Sequence, residues 1–190
     1  MTIREISRTM RSFPILFVPI YIQISMIPHP DTKTTSIDCA IVTVSDTRTP
    51  KTDKSGQLIR QLLIDAGHNV ISYDIVKDEP KDIQNLLLEL DRSLGLKAII
   101  FNGGTGIAPR DTTYDVVNRW LDKTLTGFGE IFRYLSYQEI GSRAIASRAV
   151  AGVKNQKLIF SLPGSSNAVK LAMNELILPE LIHLVSQVNC

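Results

Sequence analysis

The stretch AIIFNGGTG, residues 98–106, joins four consecutive apolar residues to a turn that contains three glycines. Such an apolar run is typical of a strand that is buried on both faces of a sheet. Glycines directly after the strand let backbone N–H groups approach an anion closely. The stretch therefore predicts a central strand that ends at a phosphate-binding loop, although a tight structural turn is an alternative interpretation of the same glycines.

Two similar units precede this strand. Residues 39–44 form an unbroken apolar run, and residues 69–76 form a second β-prone run. Apolar residues between these runs recur at helical spacing, and a second helical pattern follows Pro80, a residue that suits the first turn of a helix. This alternation predicts an α/β fold, a three-layer α/β/α sandwich with a mostly parallel sheet whose ligands bind at the carboxyl ends of the strands.

The second half of the chain adds a different pattern. Residues 148–153 and 157–162 are both β-prone, and only three residues separate them. They predict a β-hairpin that is added to the sheet. Two helical patterns, with Pro179 between them, end the chain.

Residues 1–36 do not follow this organisation and predict an N-terminal extension and linker, so that the folded domain spans residues 37–190. The apolar run 15–27 is flanked or interrupted by Pro14, Pro19 and Pro28. It is also shorter than the ~20 residues of a membrane-spanning helix, so we predict neither a membrane anchor nor an export signal. Met26 offers an alternative start of translation, which predicts that residues 1–25 are dispensable.

The charges and cysteines restrict the partners. The chain has 21 basic and 19 acidic side chains, and residues 37–190 are electrically balanced without a basic cluster. A nucleic-acid backbone is therefore not predicted as a partner, and a small ligand is expected. Cys39 and Cys190 have no spacing typical of a metal site or a disulfide framework. They predict ordinary thiols in a reducing compartment, the cytoplasm.

Two aspartates follow predicted strands at the edge where the glycine loop opens. Asp78 follows residues 69–76, and Asp111 follows the loop itself. Asp111 is also predicted to cap the next helix. Carboxylates beside a phosphate-binding loop suit Mg²⁺ that bridges protein oxygens and substrate phosphates. Each aspartate has a structural alternative, as a helix cap or as part of the turn before the Pro80 helix. Glu130, in a segment predicted to be a loop, is a third candidate acid.

Other common nucleotide sites are not supported. Pro109 stands where the dinucleotide fingerprint needs a third small residue, and the chain has no G-x-x-x-x-G-K-[ST] string. An oxidoreductase and a P-loop nucleotidase are therefore disfavoured.

Six motifs, in order, resemble the MogA/MoaB molybdopterin-binding family. They are TVSDTR (43–48), DKSG (53–56), GGTG (103–106), PRDTT (109–113), GFGE (127–130) and LPGS (162–165). The segments FRYLSY (132–137) and SRAVAG (147–152) resemble the MoaB branch of the family more than the MogA branch. The resemblance covers almost all of the chain after Ile37.

This resemblance implies a molybdopterin-binding fold and a role in molybdenum cofactor biosynthesis. Active family members use Mg²⁺ and ATP to adenylylate molybdopterin, a pterin with a dithiolene and a terminal phosphate, and release pyrophosphate. Asp78 and Asp111 match the two functional aspartates of the family, for which the resemblance implies catalytic and Mg²⁺-binding roles. The alternative is a non-catalytic protein of the MoaB branch that binds or carries molybdopterin.

The remaining site residues implied by the resemblance belong to the same motifs and would contact the pterin, the nucleotide or a phosphate. They are Ser45, Asp46, Ser55, Gly56, Gly103, Gly104, Thr105, Gly106, Arg110, Thr113, Glu130, Pro163, Gly164, Ser165 and Ser166.

The resemblance also implies a homo-oligomer, either a trimer or a hexamer. An aromatic-rich segment fits a subunit interface or the core, and we favour the interface because aromatic side chains are enriched there. Its members are Phe128, Phe132, Tyr134, Leu135 and Tyr137.

Overall fold

A computed structural model describes residues 36–189 of the protein. The predictions for residues 1–35 and for Cys190 lie outside the described residues. In chain order the elements are β1 (Asp38–Val44), α1 (Lys54–Asp65), β2 (Asn69–Val76), α2 (Pro80–Asp91), β3 (Ala98–Asn102), α3 (Thr113–Trp120), β4 (Lys123–Thr124), α4 (Thr126–Ile140), a 3₁₀ helix (Gly141–Ala146), β5 (Val150–Lys154), β6 (Lys157–Leu162), α5 (Ser166–Ala172), a π-helical turn (Met173–Ile177) and α6 (Leu178–Val188).

The strands form one sheet in the order β2-β1-β3-β6-β5-β4. Strands β2, β1, β3 and β6 are parallel, whereas β5 and β4 are antiparallel to their neighbours. Successive residues of β1 face opposite layers: Cys39 and Ile41 join one hydrophobic cluster, and Ala40 and Val42 join the other. The predicted three-layer sandwich is confirmed, because a strand buried on both faces needs helices on both sides.

The predicted hairpin is present, but it occupies the interior of the sheet. Strand β6 pairs in parallel with β3, and β5 extends the sheet beyond it. The turn uses Asn155 and Gln156 at φ 47° and 63°, which matches the right-handed twist of the two strands. Strand β5 begins at Val150 rather than at residue 148, and the side chain of Arg148 instead bonds the glycine loop.

The segment around Glu130 was predicted to be a loop, and this prediction is wrong. Residues 127–130 lie in the first turns of α4 (Thr126–Ile140). A Cβ atom on Gly129 would lie 2.7 Å from the carbonyl oxygen of Ala149, so the glycine permits close packing of the helix on the chain before β5. Tertiary packing thus overrides the low helix propensity of glycine.

The predicted helix cap at Asp111 is also wrong. Helix α3 begins at Thr113, and Thr112 occupies the cap position without a capping side-chain hydrogen bond. The Asp111 carboxylate instead accepts a hydrogen bond from the amide of Ala108, inside the loop. This frees Asp111 from a structural role in α3.

The aromatic-rich segment divides between the core and the surface. Phe132 is fully buried, and Phe128 packs against the same hydrophobic cluster. Tyr134 and Tyr137 are exposed on the outer face of α4, at 62% and 60%. Within residues 36–189, the helices are too short or too polar to span a bilayer.

Candidate functional site

The glycine loop begins where β3 ends and lies against the end of β1. Gly103 and Gly104 have φ values of 97° and 62°, which favour glycine. A Cβ atom on Gly103 would collide with the carbonyl oxygen of Val44, and Gly164 packs against Gly103 from the end of β6. Three neighbouring strands therefore bring their carboxyl ends to one point, as the sequence predicted.

Asp78 lies behind this loop. Its side chain is buried, and Oδ1 accepts hydrogen bonds from the amide and the hydroxyl of Thr112 at 3.0 and 2.7 Å. Oδ2 accepts none from the residues that the structure describes, and a Cβ atom on Gly104 would collide with it. One carboxylate oxygen of Asp78 is thus anchored, while the other faces the glycine loop.

Asp111 lies beside Gly106 at the other end of the loop. A Cβ atom on Gly106 would be 2.6 Å from Asp111 Oδ2. The two aspartates predicted for Mg²⁺ therefore both contact the glycine loop, and only Asp111 lines the open cleft in front of it. In the part of the chain described by the structure, no three His, Cys, Asp or Glu side chains group closely enough to hold a metal ion alone.

The cleft has a volume of about 550 Å³. This size falls in the range of small-molecule sites. Of the predicted residues, its wall contains Ser45, Gly103, Gly104, Thr105, Gly106, Asp111, Pro163, Gly164 and Ser165. The wall does not include Asp46, Ser55, Gly56, Asp78, Arg110, Thr113, Glu130 or Ser166.

Ser55 and Gly56 are buried behind the cleft, in a polar network around Asp53. Ser55 donates to Asn102 Oδ1 at 2.8 Å, accepts from the guanidinium of Arg48, and lies 3.1 Å from Asp53 Oδ1. Burial favours a higher pKa for Asp53, but hydrogen bonds from Thr43, Gly56, Tyr73 and Arg48 outweigh it and lower the pKa below its usual value. Asp53 is therefore a buried carboxylate that anchors Arg48.

Arg48 connects this network to the cleft wall. Its Nη1 atom is 2.9 Å from Asp53 Oδ1, and its Nη2 atom donates to the carbonyl oxygen of Gly164 at 3.0 Å. The guanidinium thus holds the LPGS segment (162–165) in place at the end of β6. Ser55 and Gly56 support this arrangement rather than reach the cleft.

Asp46 and Arg110 pair with each other at the exposed rim. Arg110 Nη2 is 2.6 Å from Asp46 Oδ2, and Arg110 Nη1 is 2.6 Å from Glu79 Oε1. The hydrogen bond from Arg110 lowers the pKa of Asp46. This pair links the loop after β1 to the loop before α3.

Thr113 and Glu130 lie in different surroundings. The Thr113 hydroxyl is buried beside Gly104 and has no hydrogen-bond partner within residues 36–189. Glu130 lines a separate cavity of about 190 Å³ with Tyr114 and Arg133. The structure therefore brings Thr113 to the glycine loop and Glu130 to another surface.

The sequence analysis missed three arginines that line the cleft: Arg48, Arg143 and Arg148. Arg48 and Arg148 stand inside quoted motifs, which was a usable signal, whereas nothing in the sequence marked Arg143. Arg148 donates to the carbonyl oxygens of Thr105 and Gly106 at 3.0 and 2.7 Å. The electrical balance of the whole domain concealed this local concentration of positive charge.

The fold and the cleft together define a class of protein. It is an α/β sandwich whose cleft, at the carboxyl edge of a mostly parallel sheet, is lined by a glycine loop, Asp111 and three arginines, with a second aspartate, Asp78, behind the loop. This combination is typical of a site for a phosphorylated small molecule.

Residues 40–183 match the sequence model of the family described as "Probable molybdopterin binding domain", and the chain belongs to this family. Molybdenum cofactor biosynthesis protein B of Halalkalibacterium halodurans is 56% identical over 154 residues, which cover 80% of this chain and 91% of that protein. These findings confirm the resemblance stated from the motifs, and such relatives support a role in molybdenum cofactor biosynthesis.

Solved structures agree. A crystal structure of molybdenum cofactor biosynthesis protein B has a TM-score of 0.79 and 52% identity, and it covers 81% of this chain and 96% of that one. The tungsten cofactor synthesizing protein MoaB from Pyrococcus furiosus has a TM-score of 0.74 and 35% identity, with coverage of 83% and 99%.

Proposed function

We propose that this protein binds molybdopterin in the cleft and adenylylates it with Mg²⁺ and ATP, as a nucleotidyltransferase. The observation that carries the proposal is the contact of both Asp78 and Asp111 with the glycine loop. Family membership supports molybdopterin as the ligand. In the reaction, a phosphate oxygen of molybdopterin bonds to the α-phosphorus of ATP, the bond from that phosphorus to its bridging oxygen breaks, and pyrophosphate leaves.

The chemistry of the two carboxylates suits a Mg²⁺ ion. Asp78 Oδ2 and the Asp111 carboxylate are hard oxygen donors, and Mg²⁺ is usually held by one or two carboxylates together with substrate phosphates. When bound there, Mg²⁺ would neutralise phosphate charge. Within residues 36–189 no third acidic ligand joins these two carboxylates, an arrangement that suits an ion that arrives with the nucleotide.

The protein groups would position the reactants. Backbone N–H groups of residues 104–106 would bind a phosphate, whereas the N–H of Gly103 already donates to the carbonyl oxygen of Leu162. Ser45, after β1, and Ser165, after β6, would donate further hydrogen bonds. Such positioning and charge neutralisation are the main contributions that a protein makes to phosphoryl-group transfer. The Arg48 network would keep the wall formed by Gly164 in register with the glycine loop.

The carrier alternative uses the same cleft without turnover. The position of Asp78 outside the cleft wall favours this alternative, because a binding protein does not need both carboxylates at the ligand. The two functions differ in one product, adenylylated molybdopterin.

The test is formation of adenylylated molybdopterin from molybdopterin, ATP and Mg²⁺ by the full chain. We expect turnover by the wild type and a loss of at least about a hundredfold in Asp111→Asn and Asp78→Asn, because each substitution removes a negative charge that would hold the Mg²⁺ ion against the substrate phosphates. Asp65→Asn is the control, because Asp65 is exposed at the opposite edge of the sheet and contacts only Gln61 through its side chain. If the wild type binds molybdopterin but forms no adenylylated molybdopterin, the carrier function replaces the enzymatic one.

We also propose that the protein acts as a homo-oligomer in the cytoplasm. Ile131, Tyr134, Tyr137 and Ile140 are exposed at 50%, 62%, 60% and 52% along α4, and exposed apolar side chains at helical spacing favour an interface. The cytoplasm is proposed because the two cysteines have no spacing typical of a disulfide framework.

A further inference from the structure

Four charged side chains line the cleft within the described part of the chain: Arg48, Arg143, Arg148 and Asp111. The three arginines differ in what their guanidinium groups already contact. That difference separates the groups that support the cleft from the group that is available to a ligand.

The guanidinium groups of Arg48 and Arg148 both form ion pairs with other side chains of the protein. Arg48 pairs with the buried Asp53 carboxylate. Arg148 pairs with Asp115 at 3.1 Å, and its guanidinium lies 4.7 Å from the ring centroid of Tyr114. Hydrogen bonds to backbone carbonyl oxygens use further donors of both groups, as described above. These two arginines therefore stabilise the walls of the cleft.

Arg143 is different. It lies in the 3₁₀ helix Gly141–Ala146, which the buried side chain of Ala144 holds against the domain. Its guanidinium makes no hydrogen bond or ion pair with any residue between 36 and 189, including Asp111. A guanidinium presents a planar set of N–H donors that matches two oxygens of a phosphate. Among residues 36–189, Arg143 is thus the one cation of the cleft whose charge and donors no other side chain or carbonyl oxygen matches.

We propose that Arg143 binds a phosphate ester of the ligand in this cleft. The inference rests on the proposed function, because both proposed substrates are phosphate esters: molybdopterin through its terminal phosphate and ATP through its triphosphate. Arg143 selects the phosphorylated form of one of them, whereas the glycine loop binds the other phosphate of the reacting pair.

The test compares each substrate with its phosphate-free form. Calorimetric titration in Mg²⁺ buffer measures the dissociation constants of ATP, adenosine, molybdopterin and dephosphorylated molybdopterin for the full-length wild type and Arg143→Gln. We expect Arg143→Gln to weaken one phosphorylated ligand about tenfold to a hundredfold and its phosphate-free form less than about twofold. The pair that responds identifies which phosphate Arg143 binds. Arg143→Lys, which retains the charge without the planar donors, is expected to lose less affinity for that phosphorylated ligand than Arg143→Gln.

Two further variants are measured as controls for the Arg143→Gln result. Arg92→Gln is the matched control, because Arg92 is an exposed arginine at the end of α2, outside the cleft. Arg148→Gln should instead weaken the phosphorylated ligand of the other pair, because Arg148 acts through the glycine loop, which is proposed to bind that phosphate. Two results would overturn this inference and leave the proposed function standing. One is an unchanged dissociation constant for every ligand in Arg143→Gln, and the other is an equal loss of affinity for the phosphorylated and the phosphate-free form of both substrates. A wild type that binds neither ATP nor molybdopterin would overturn the proposed function, and the inference with it.

Discussion

Gly103 shows how a single backbone position fixes the site. Its positive φ and its contact with the Val44 carbonyl oxygen are two separate reasons why a side chain does not fit. Gly67 also has a positive φ, 83°, but no heavy atom lies within 4 Å of its Cβ position. Gly127 has neither constraint. The three positions therefore separate the effect of close packing from the effect of backbone strain.

We predict a graded series for alanine at these glycines. Gly103→Ala should lower the free energy of unfolding by about 3 kcal/mol or more, since it combines a collision with strain. Gly67→Ala should lower it by about 1 kcal/mol, from strain alone. Gly127→Ala should be neutral or stabilise α4 by up to about 1 kcal/mol. Urea unfolding followed by circular dichroism measures the series, and equal effects at Gly103 and Gly67 would contradict the collision.

At the scale of the elements, a histidine joins the start of β1 to the turn between α1 and β2. His68 is buried, and its Nδ1 atom accepts a hydrogen bond from the amide of Ile37 at 3.3 Å. Burial lowers the pKa of His68 below the usual 6.5, since it disfavours the charged imidazolium. Protonation would also remove the acceptor from this hydrogen bond.

This arrangement predicts a pH-dependent stability. The unfolded chain binds a proton at His68 more readily than the folded protein, so the contribution of neutral His68 is fully present above about pH 6.5 and is lost as the pH falls below it. We expect the free energy of unfolding to decrease between pH 7.5 and pH 5 in the wild type, and to decrease less in His68→Gln. Chemical unfolding at a series of pH values measures the difference. Parallel profiles for the two proteins would show that His68 does not contribute.

At the scale of the whole molecule, α4 has one face packed on the domain and one face exposed. Phe132 lies in the core and Gly129 packs against the chain before β5, whereas Ile131, Tyr134, Tyr137 and Ile140 are exposed on the outer side. The inner face explains why the helix docks on the domain. The outer face carries exposed apolar side chains, and the proposed partner that would cover them is a second copy of the chain.

We predict that the double variant Ile131→Lys, Tyr134→Glu dissociates the oligomer, because it places charges in an apolar contact. Light scattering coupled to size exclusion should give a larger mass for the wild type than for the variant. Gln84→Glu, an exposed change on α2 in the opposite layer of the sandwich, should leave the mass unchanged. A monomeric wild type would contradict self-association through α4.

The amino-acid sequence by itself determined the succession of strands and helices along the first half of the domain. It also determined the glycine loop and the position of Asp78 and Asp111 beside it. These features follow from local patterns: apolar runs of a few residues, helical spacing, and the rule that parallel strands present their carboxyl ends at one edge. The predicted strand at residues 69–76 and the predicted helix start at Pro80 agree with β2 and α2.

Only the tertiary structure decided which charged groups meet in the cleft. Arg48 and Gly164 are 116 residues apart in the chain, and Arg148 bonds Thr105 across 43 residues. It also decided that α4 is a helix despite two glycines, because the contact with Ala149 that favours this helix is not local. Local spacing carries no information about such contacts, since they form only after the layers of the sandwich have packed together.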